Sequence, residues 1–293
     1  MSRVTVRRKT IRVTAAGEIR RPDTLAVEEP LEIRIDGESL TVTMRTPGND
    51  IDLAHGFLFG ENIIESADDI VSARYCAGTD AEGHNTYNVL DIRLRVPTIL
   101  PTRRFFTSSA CGVCGKTSLD EVRFRTEFRL ADSTLTIDAP MLSTLPDELR
   151  SRQAAFAVTG GVHAAGLFTR DGTAVVVRED VGRHNAVDKV LGWAVRNDRI
   201  PAADLVLVVS SRASFELVQK AVMAGVPVLA AVSAPSSLAV DLATEAGLTL
   251  VGFLRGETMN IYTEAQRIDV AGPYGGLSDP RWGPTAAISR QVR

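Results

Sequence analysis

Residues 205–232 read LVLVVSSRASFELVQKAVMAGVPVLAAV, and this stretch decides the fold of the second half of the chain. The apolar runs at its two ends, Leu205–Val209 and Val228–Val232, do not alternate with polar residues, which is typical of strands buried on both faces. The segment between them has helical apolar spacing and stops at Gly225, a residue that commonly ends helices. A strand, a helix and a strand in this order indicate a mostly parallel sheet between helix layers.

The same alternation continues on both sides of this stretch. Upstream, a strand at 175–177 precedes a helix at about 185–196. Downstream, a helix at 237–246 precedes a strand at 248–253. The sequence therefore predicts the α/β class, with a three-layer α/β/α domain over residues 119–270.

The first part of the chain has a different pattern. Leu31, Ile33 and Ile35 alternate with charged residues before an Asp36-Gly37 turn, which predicts a β-hairpin. A helix at about 50–60 and a half-exposed strand at 90–96 complete a small β-rich α+β roll over residues 1–105. Residues 106–118 are predicted to form a mobile loop and residues 271–293 an irregular tail.

Composition excludes several classes of protein. The 293 residues include 44% apolar and 24% charged side chains, as in ordinary soluble globular proteins, and the length suits two domains. The net charge of −3 disfavours a nucleic-acid binder, although residues 1–25 carry seven basic and two acidic side chains. That basic segment is either a solvated arm or a contact for an acidic or phosphorylated partner. No apolar run has the length of a membrane span or the pattern of a signal peptide, so we expect a cytoplasmic protein.

Two of the three cysteines, Cys111 and Cys114, form a Cys-Gly-Val-Cys motif in a glycine- and serine-rich segment, while Cys76 stands alone. A zinc site would need further ligands that the spacing does not supply, so no metal is expected. A structural pair would normally have apolar neighbours, and a thioredoxin-type pair would follow a strand and open a helix. These three alternatives are disfavoured, and sulfur transfer is favoured, because nearby cations such as Lys116, Arg103 and Arg104 would promote a reactive thiolate.

Polar side chains cluster where the predicted strands end, which is where open α/β sheets bind ligands. Serine-rich turns that open helices present backbone N–H groups to anions, so these strand ends predict a phosphate or nucleotide site, with helix capping as the alternative. The candidate side chains are Asp180, Arg183 and His184 after the first strand, Ser211 and Arg212 after the second, and the glycine-flanked Arg255 after the last.

A zinc nucleotide deaminase would also suit an α/β domain, but its motifs occur here in the wrong order. His163 lacks the accompanying glutamate, and Cys111 lacks a preceding proline. Deaminase chemistry is therefore disfavoured.

Five motifs in order resemble the formate dehydrogenase accessory sulfurtransferase family (FdhD type). The motifs read SACGVCG, EDVGRHNAVDK, SRASFE, SAPSSLA and GFLRG, and the match as a whole runs over about residues 30–265. The resemblance implies a dimeric cytoplasmic protein that moves persulfide sulfur from a cysteine desulfurase to the molybdenum bis(molybdopterin guanine dinucleotide) cofactor of formate dehydrogenase. It also implies a second domain similar in fold to cytidine deaminases but without their zinc.

The resemblance implies roles for particular residues. Cys111 would carry the persulfide and Cys114 would be its partner thiol. The cofactor contact near the last strand maps to Phe253, Leu254, Arg255, Gly256, Glu257 and Thr258. A non-catalytic cofactor chaperone and a thiol–disulfide oxidoreductase are the alternative functions.

Overall fold

The computed structural model describes residues 4–76, 87–97, 105–107 and 128–270. The predicted Cys111–Cys114 site and the predicted tail at 271–293 lie outside these ranges. No helix among the described residues is long and apolar enough to span a bilayer.

The described residues form six α-helices and fifteen strands. The helices are α1 (Asp50–Gly60), α2 (Ala139–Ser151), α3 (Ala154–Thr159), α4 (Arg183–Arg196), α5 (Phe215–Met223) and α6 (Ser237–Ala246). The strands are β1 (Thr5–Thr14), β2 (Gly17–Ala26), β3 (Glu29–Ile35), β4 (Glu38–Arg45), β5 (Ile70–Tyr75), β6 (Val89–Leu94), β7 (Phe105–Thr107), β8 (Ile137–Asp138), β9 (His163–Thr169), β10 (Ala174–Asp180), β11 (Leu205–Val209), β12 (Val228–Ala231), β13 (Thr249–Arg255), β14 (Thr258–Ile261) and β15 (Ile268–Asp269).

The main sheet has the order β10-β9-β11-β12-β13-β14. Its three central strands, β11, β12 and β13, are parallel, as the opening stretch predicts. The expectation of a mostly parallel sheet is wrong at the flanks, where β9, β10 and β14 pair antiparallel. The connections explain this difference: β9 returns to β10 through a tight turn at Gly172 (φ 83°), and so short a link cannot join parallel strands.

Helices cover both faces of this sheet, so the domain has three layers. On one face, Leu142, Leu145 and Leu149 of α2 pack with Phe168 and Val206 in a buried cluster. On the other face, α4, α5 and α6 pack against the opposite side chains of the same strands. The mixed α/β class is confirmed.

The second sheet has the order β5-β6-β3-β4-β7, and its hairpin turns at Asp36 and Gly37 as predicted. Its buried residues, including Leu31 and Ile33, form one continuous cluster with α1, α4 and Leu207 of the main sheet. The two sheets thus share a core through the contact between α1 and α4. The division into domains at residue 105 stays a prediction.

A long two-stranded hairpin, β1–β2, precedes both sheets. The sequence offers little sign of it, because β1 contains four cations and three threonines and shows no regular alternation of apolar and polar residues. Most of its side chains are exposed.

Candidate functional site

A cavity of about 630 Å³ lies at the carboxyl ends of the central parallel strands. Ser210, Val232 and Leu254 line it where β11, β12 and β13 end. This is the edge at which the strand order predicts ligand binding. The volume lies within the range of small-molecule sites, which is roughly 300–1,000 Å³.

The α2–α3 segment forms one wall of the cavity through Arg150, Gln153 and Phe156. The Arg150 guanidinium lies 3.8 Å from the centre of the Phe156 ring, in cation–π geometry. Glu179 fixes this wall, because its carboxylate accepts hydrogen bonds from the backbone N–H groups of Ala155 (2.9 Å) and Phe156 (2.8 Å). The wall therefore offers a flat aromatic surface, a cation and a buried amide to a ligand.

The turn after β13 supplies the second cation of the cavity. Arg255 donates from Nε to the Val232 carbonyl over 3.0 Å, which fixes its guanidinium at the cavity edge. The backbone bends sharply here, with Phe253 at φ 53° and Gly256 at φ 51°. Of the six residues predicted in this segment, Leu254, Arg255 and Gly256 line the cavity, whereas Phe253, Glu257 and Thr258 do not.

Asp180 is placed differently from the prediction. It is fully buried, its Oδ2 lies 2.7 Å from Lys189 Nζ, and it accepts backbone hydrogen bonds from Thr46 and Gly182. Asn185 donates to its other oxygen over 3.1 Å. The Asp180 carboxylate therefore does not line the cavity but forms an ion pair and hydrogen bonds inside the protein.

The partners of this carboxylate join the two sheets. Lys189 also donates to the Thr46 carbonyl (2.8 Å), and Asn185 donates to the Met44 carbonyl (2.8 Å). The Thr46 hydroxyl accepts from the Val181 N–H over 3.1 Å. Much of the polar run at residues 178–189 thus holds the end of β4 against β10 and α4.

His184 faces α5 and not the cavity. Its Nε2 lies 3.3 Å from Ser214 Oγ and 3.5 Å from a Glu216 oxygen. Burial is the main cause that lowers the pKa of His184 to about 4; Glu216 opposes this shift, and nearby Arg183 and Lys220 add to it. The imidazole is therefore neutral near pH 7. Its neighbour Arg183 is half-buried at the start of α4.

Several serine hydroxyls in the serine-rich turns form hydrogen bonds with the protein backbone. Ser211 donates to the Arg212 carbonyl over 3.0 Å, and Ser210 accepts from the Ala164 N–H over 2.9 Å. Ser236 caps α6 by accepting from the Ala239 N–H. The capping alternative therefore accounts for several of these hydroxyls, whereas the Arg212 side chain is exposed.

A model of the FdhD/NarQ family matches residues 26–269. The chain belongs to this family. It is 69% identical over 266 residues to the sulfur carrier protein FdhD of Nocardia farcinica, covering 91% of this chain and 95% of that protein. It is 59% identical to the sulfur carrier protein FdhD of Mycolicibacterium paratuberculosis, covering 90% of this chain and 99% of that one.

The fold of this FdhD/NarQ protein also matches a solved structure, that of a protein from Desulfotalea psychrophila named for a formate dehydrogenase accessory role. The TM-score is 0.71 at 23% sequence identity, and the match covers 91% of this chain and 100% of that one. At this identity the likeness shows the shared fold.

A described strand, β7, precedes the Cys111–Cys114 motif in the sequence. β7 runs parallel to β4, with Thr107 opposite Thr43. Thr107 therefore lies close to the end of β4, where Thr46 meets Asp180 and Lys189. Within the described ranges, no three His, Cys, Asp or Glu side chains gather as a metal site would require.

Sequence reasoning missed the α2–α3 wall. Arg150 and Phe156 are separated by five residues, and neither belongs to a recognisable motif. The one available signal was the run Gly160-Gly161, which follows α3 and also lines the cavity.

Proposed function

We propose that this sulfur carrier takes sulfur from a cysteine desulfurase as a persulfide on Cys111. It then passes the sulfur to the molybdenum bis(molybdopterin guanine dinucleotide) cofactor destined for formate dehydrogenase. The observation that carries the proposal is the cavity at the strand ends, with Arg150 and Arg255 on its walls. Family membership supplies the sulfur chemistry, and the cavity supplies a place for the acceptor.

The chemistry of the cavity walls fits one nucleotide arm of this acceptor. Guanidinium groups bind phosphate oxygens well, because their planar donors match phosphate geometry. The Phe156 ring offers a stacking surface for a planar heterocycle, and Gln153 offers amide hydrogen bonds. The volume suits one nucleotide-sized arm and not the whole two-armed molecule.

The first chemical step is a thiol exchange. The Cys111 thiolate attacks the terminal sulfur of the donor persulfide, the sulfur–sulfur bond of the donor breaks, and the donor cysteine leaves as a thiolate. Cys111 then carries the terminal sulfur, with Cys114 as the neighbouring thiol. The proposal includes a cytoplasmic location, a homodimer and a second domain related in fold to cytidine deaminases without zinc.

Incubation of the protein with a cysteine desulfurase and cysteine is expected to add the mass of one sulfur atom at Cys111. Intact-protein and peptide mass spectrometry would locate the adduct. A Cys111→Ser variant should lack the adduct and fail to restore formate dehydrogenase activity in a strain without the native protein. A Cys76→Ser variant is the control and should retain both properties.

Two results would contradict this assignment. An unmodified wild-type protein would argue against a persulfide carrier. Full formate dehydrogenase activity with Cys111→Ser would favour the non-catalytic chaperone.

Arg255→Ala is expected to weaken binding of GDP, used as a probe for the nucleotide arm, by about tenfold or more. A hydrogen bond to a charged group contributes roughly 1.5–3 kcal/mol, and this variant removes such a donor from the cavity edge. Isothermal titration calorimetry would measure the dissociation constant. Arg170→Ala, at an exposed arginine that does not line the cavity, is the matched control. Equal affinities in the two variants would place the nucleotide elsewhere.

A further inference from the structure

The β1–β2 hairpin (Thr5–Ala26), here called the basic hairpin, has a charge opposite to that of the whole chain. It contains six basic and two acidic residues, whereas the chain as a whole has a net charge of −3. Its cations are all exposed and are distributed over both strands: Arg7, Arg8, Lys9, Arg12, Arg20 and Arg21. The hairpin is thus a localised positive surface on a protein that is otherwise net negative.

The basic hairpin also exposes apolar side chains and strand edges. Ile11, Val13 and Ile19 are 50%, 78% and 56% exposed. Among the described residues, β1 and β2 pair only with each other, so each has an outer edge without a neighbouring strand. An isolated two-stranded hairpin is marginally stable in water, and open edges readily accept another chain. These features indicate a surface that is covered in an assembly.

The root of the basic hairpin lies at the rim of the cavity. β2 packs against α3, and a Cβ added to Gly161 would lie 3.6 Å from the Ala26 Cβ. Gly161 and Phe156 both line the cavity. Arg12, Arg20 and Arg21 are five to seven residues from the root along their strands, which places them roughly 17–23 Å away from it. A hairpin of this length therefore suits contact with a macromolecule and not with a nucleotide arm bound in the cavity.

We propose that the basic hairpin docks an acidic face of the client protein that receives the cargo at the mouth of the cavity. This inference rests on the proposed function, because it takes the cavity as the place from which the client collects the cofactor. Each face of the hairpin carries apolar and cationic side chains together, since Ile11 lies opposite Arg20 and Ile19 lies opposite Arg12. Such a mixture suits a protein interface, in which apolar contacts supply affinity and charges set orientation and association rate.

The test measures binding of purified cofactor-free formate dehydrogenase to the full-length protein by biolayer interferometry at low and physiological salt. Reversing three hairpin charges together (Arg12→Glu, Arg20→Glu and Arg21→Glu) should weaken binding by at least about tenfold and reduce its salt dependence. The variant in which the same three arginines are replaced by glutamine should lose an intermediate amount of affinity for the client protein.

A control variant reverses three exposed arginines outside the hairpin (Arg74→Glu, Arg93→Glu and Arg170→Glu) and should bind within about twofold of the wild type. Both triple variants should keep the melting temperature, the Cys111 persulfide and the GDP affinity of the wild type. Those readouts separate a failure of the docking surface from a failure of the proposed function.

Several outcomes would overturn the docking proposal. Equal client binding by the two triple variants, or no client binding by the wild type, would remove the interface while leaving the persulfide result intact. Loss of GDP affinity in the hairpin variant would assign the cations to the nucleotide site. A change of oligomeric state confined to that variant would assign the hairpin to a second copy of the chain. Binding to RNA or to phosphatidylserine vesicles through the hairpin, without client binding, would also contradict it.

Discussion

Replacement of Gly192 by alanine is expected to lower the free energy of unfolding by roughly 3 kcal/mol or more, at the upper end of overpacking effects. A Cβ at this position would lie 1.8 Å from the Asp52 carbonyl oxygen of α1. Neither atom can rotate away, because the backbone of α4 fixes the position of the Cβ and the oxygen belongs to the backbone of α1. The helices must separate, and their shared core must then open.

Gly56→Ala should have a similar effect, since its Cβ would lie 1.9 Å from the Asp188 carbonyl oxygen of α4. The two glycines face each other across the α1–α4 contact, and each allows one helix backbone to approach the other. Because the two sites share one contact, the double variant should lose less stability than the sum of the single variants.

Chemical denaturation followed by circular dichroism would measure these changes. Gly161→Ala is the matched control, because its Cβ would meet only ordinary contacts, the nearest at 3.6 Å. Its stability should stay within about 0.5 kcal/mol of the wild type. A Gly192→Ala protein as stable as this control would show that α1 and α4 are not in backbone contact.

The α1–α4 contact also shows how far sequence reasoning reaches. Both helices were predicted, because apolar spacing and stop signals are local properties of the chain. Their close pairing was not, because it joins positions such as Gly56 and Gly192 that are far apart in sequence and have no pattern in common. The parallel core of the sheet was predicted for the same local reason, and its antiparallel flanks were missed.

The candidate site also combines features that the sequence predicts with features that it does not. The sequence predicts ligand contacts at the strand ends, since the edge of a parallel sheet follows from strand order, and a cavity lies at that edge. Charge density alone, however, could not distinguish a ligand contact from an internal one. Asp180 and His184 were predicted to contact the cofactor, and their observed partners are protein groups. The partners of Asp180 include Thr46, 134 residues away in the sequence.

Asp180→Ala is expected to cost about 3–5 kcal/mol of folding stability, the usual result of removing one member of a buried ion pair. Lys189 would keep its buried charge without the carboxylate 2.7 Å away, and the backbone N–H groups of Thr46 and Gly182 would lose their acceptor. The loss should appear as a lower melting temperature and a lower denaturant midpoint. Asp204→Ala is the control, because its ion pair with Arg199 is exposed and contributes at most about 1 kcal/mol.

Two further measurements decide between a structural role and a ligand role for Asp180. Asp180 and Lys189 stabilise each other as a pair. The double variant Asp180→Asn, Lys189→Met should therefore lose less free energy of unfolding than the sum of the losses in the two single variants. The Asp180→Ala protein, measured at a temperature where it is still folded, should bind GDP within about threefold of the wild type, because the carboxylate lies inside the protein and not on the cavity wall. Loss of GDP affinity by the folded variant, with additive effects in the double variant, would instead support the ligand contact expected from the sequence.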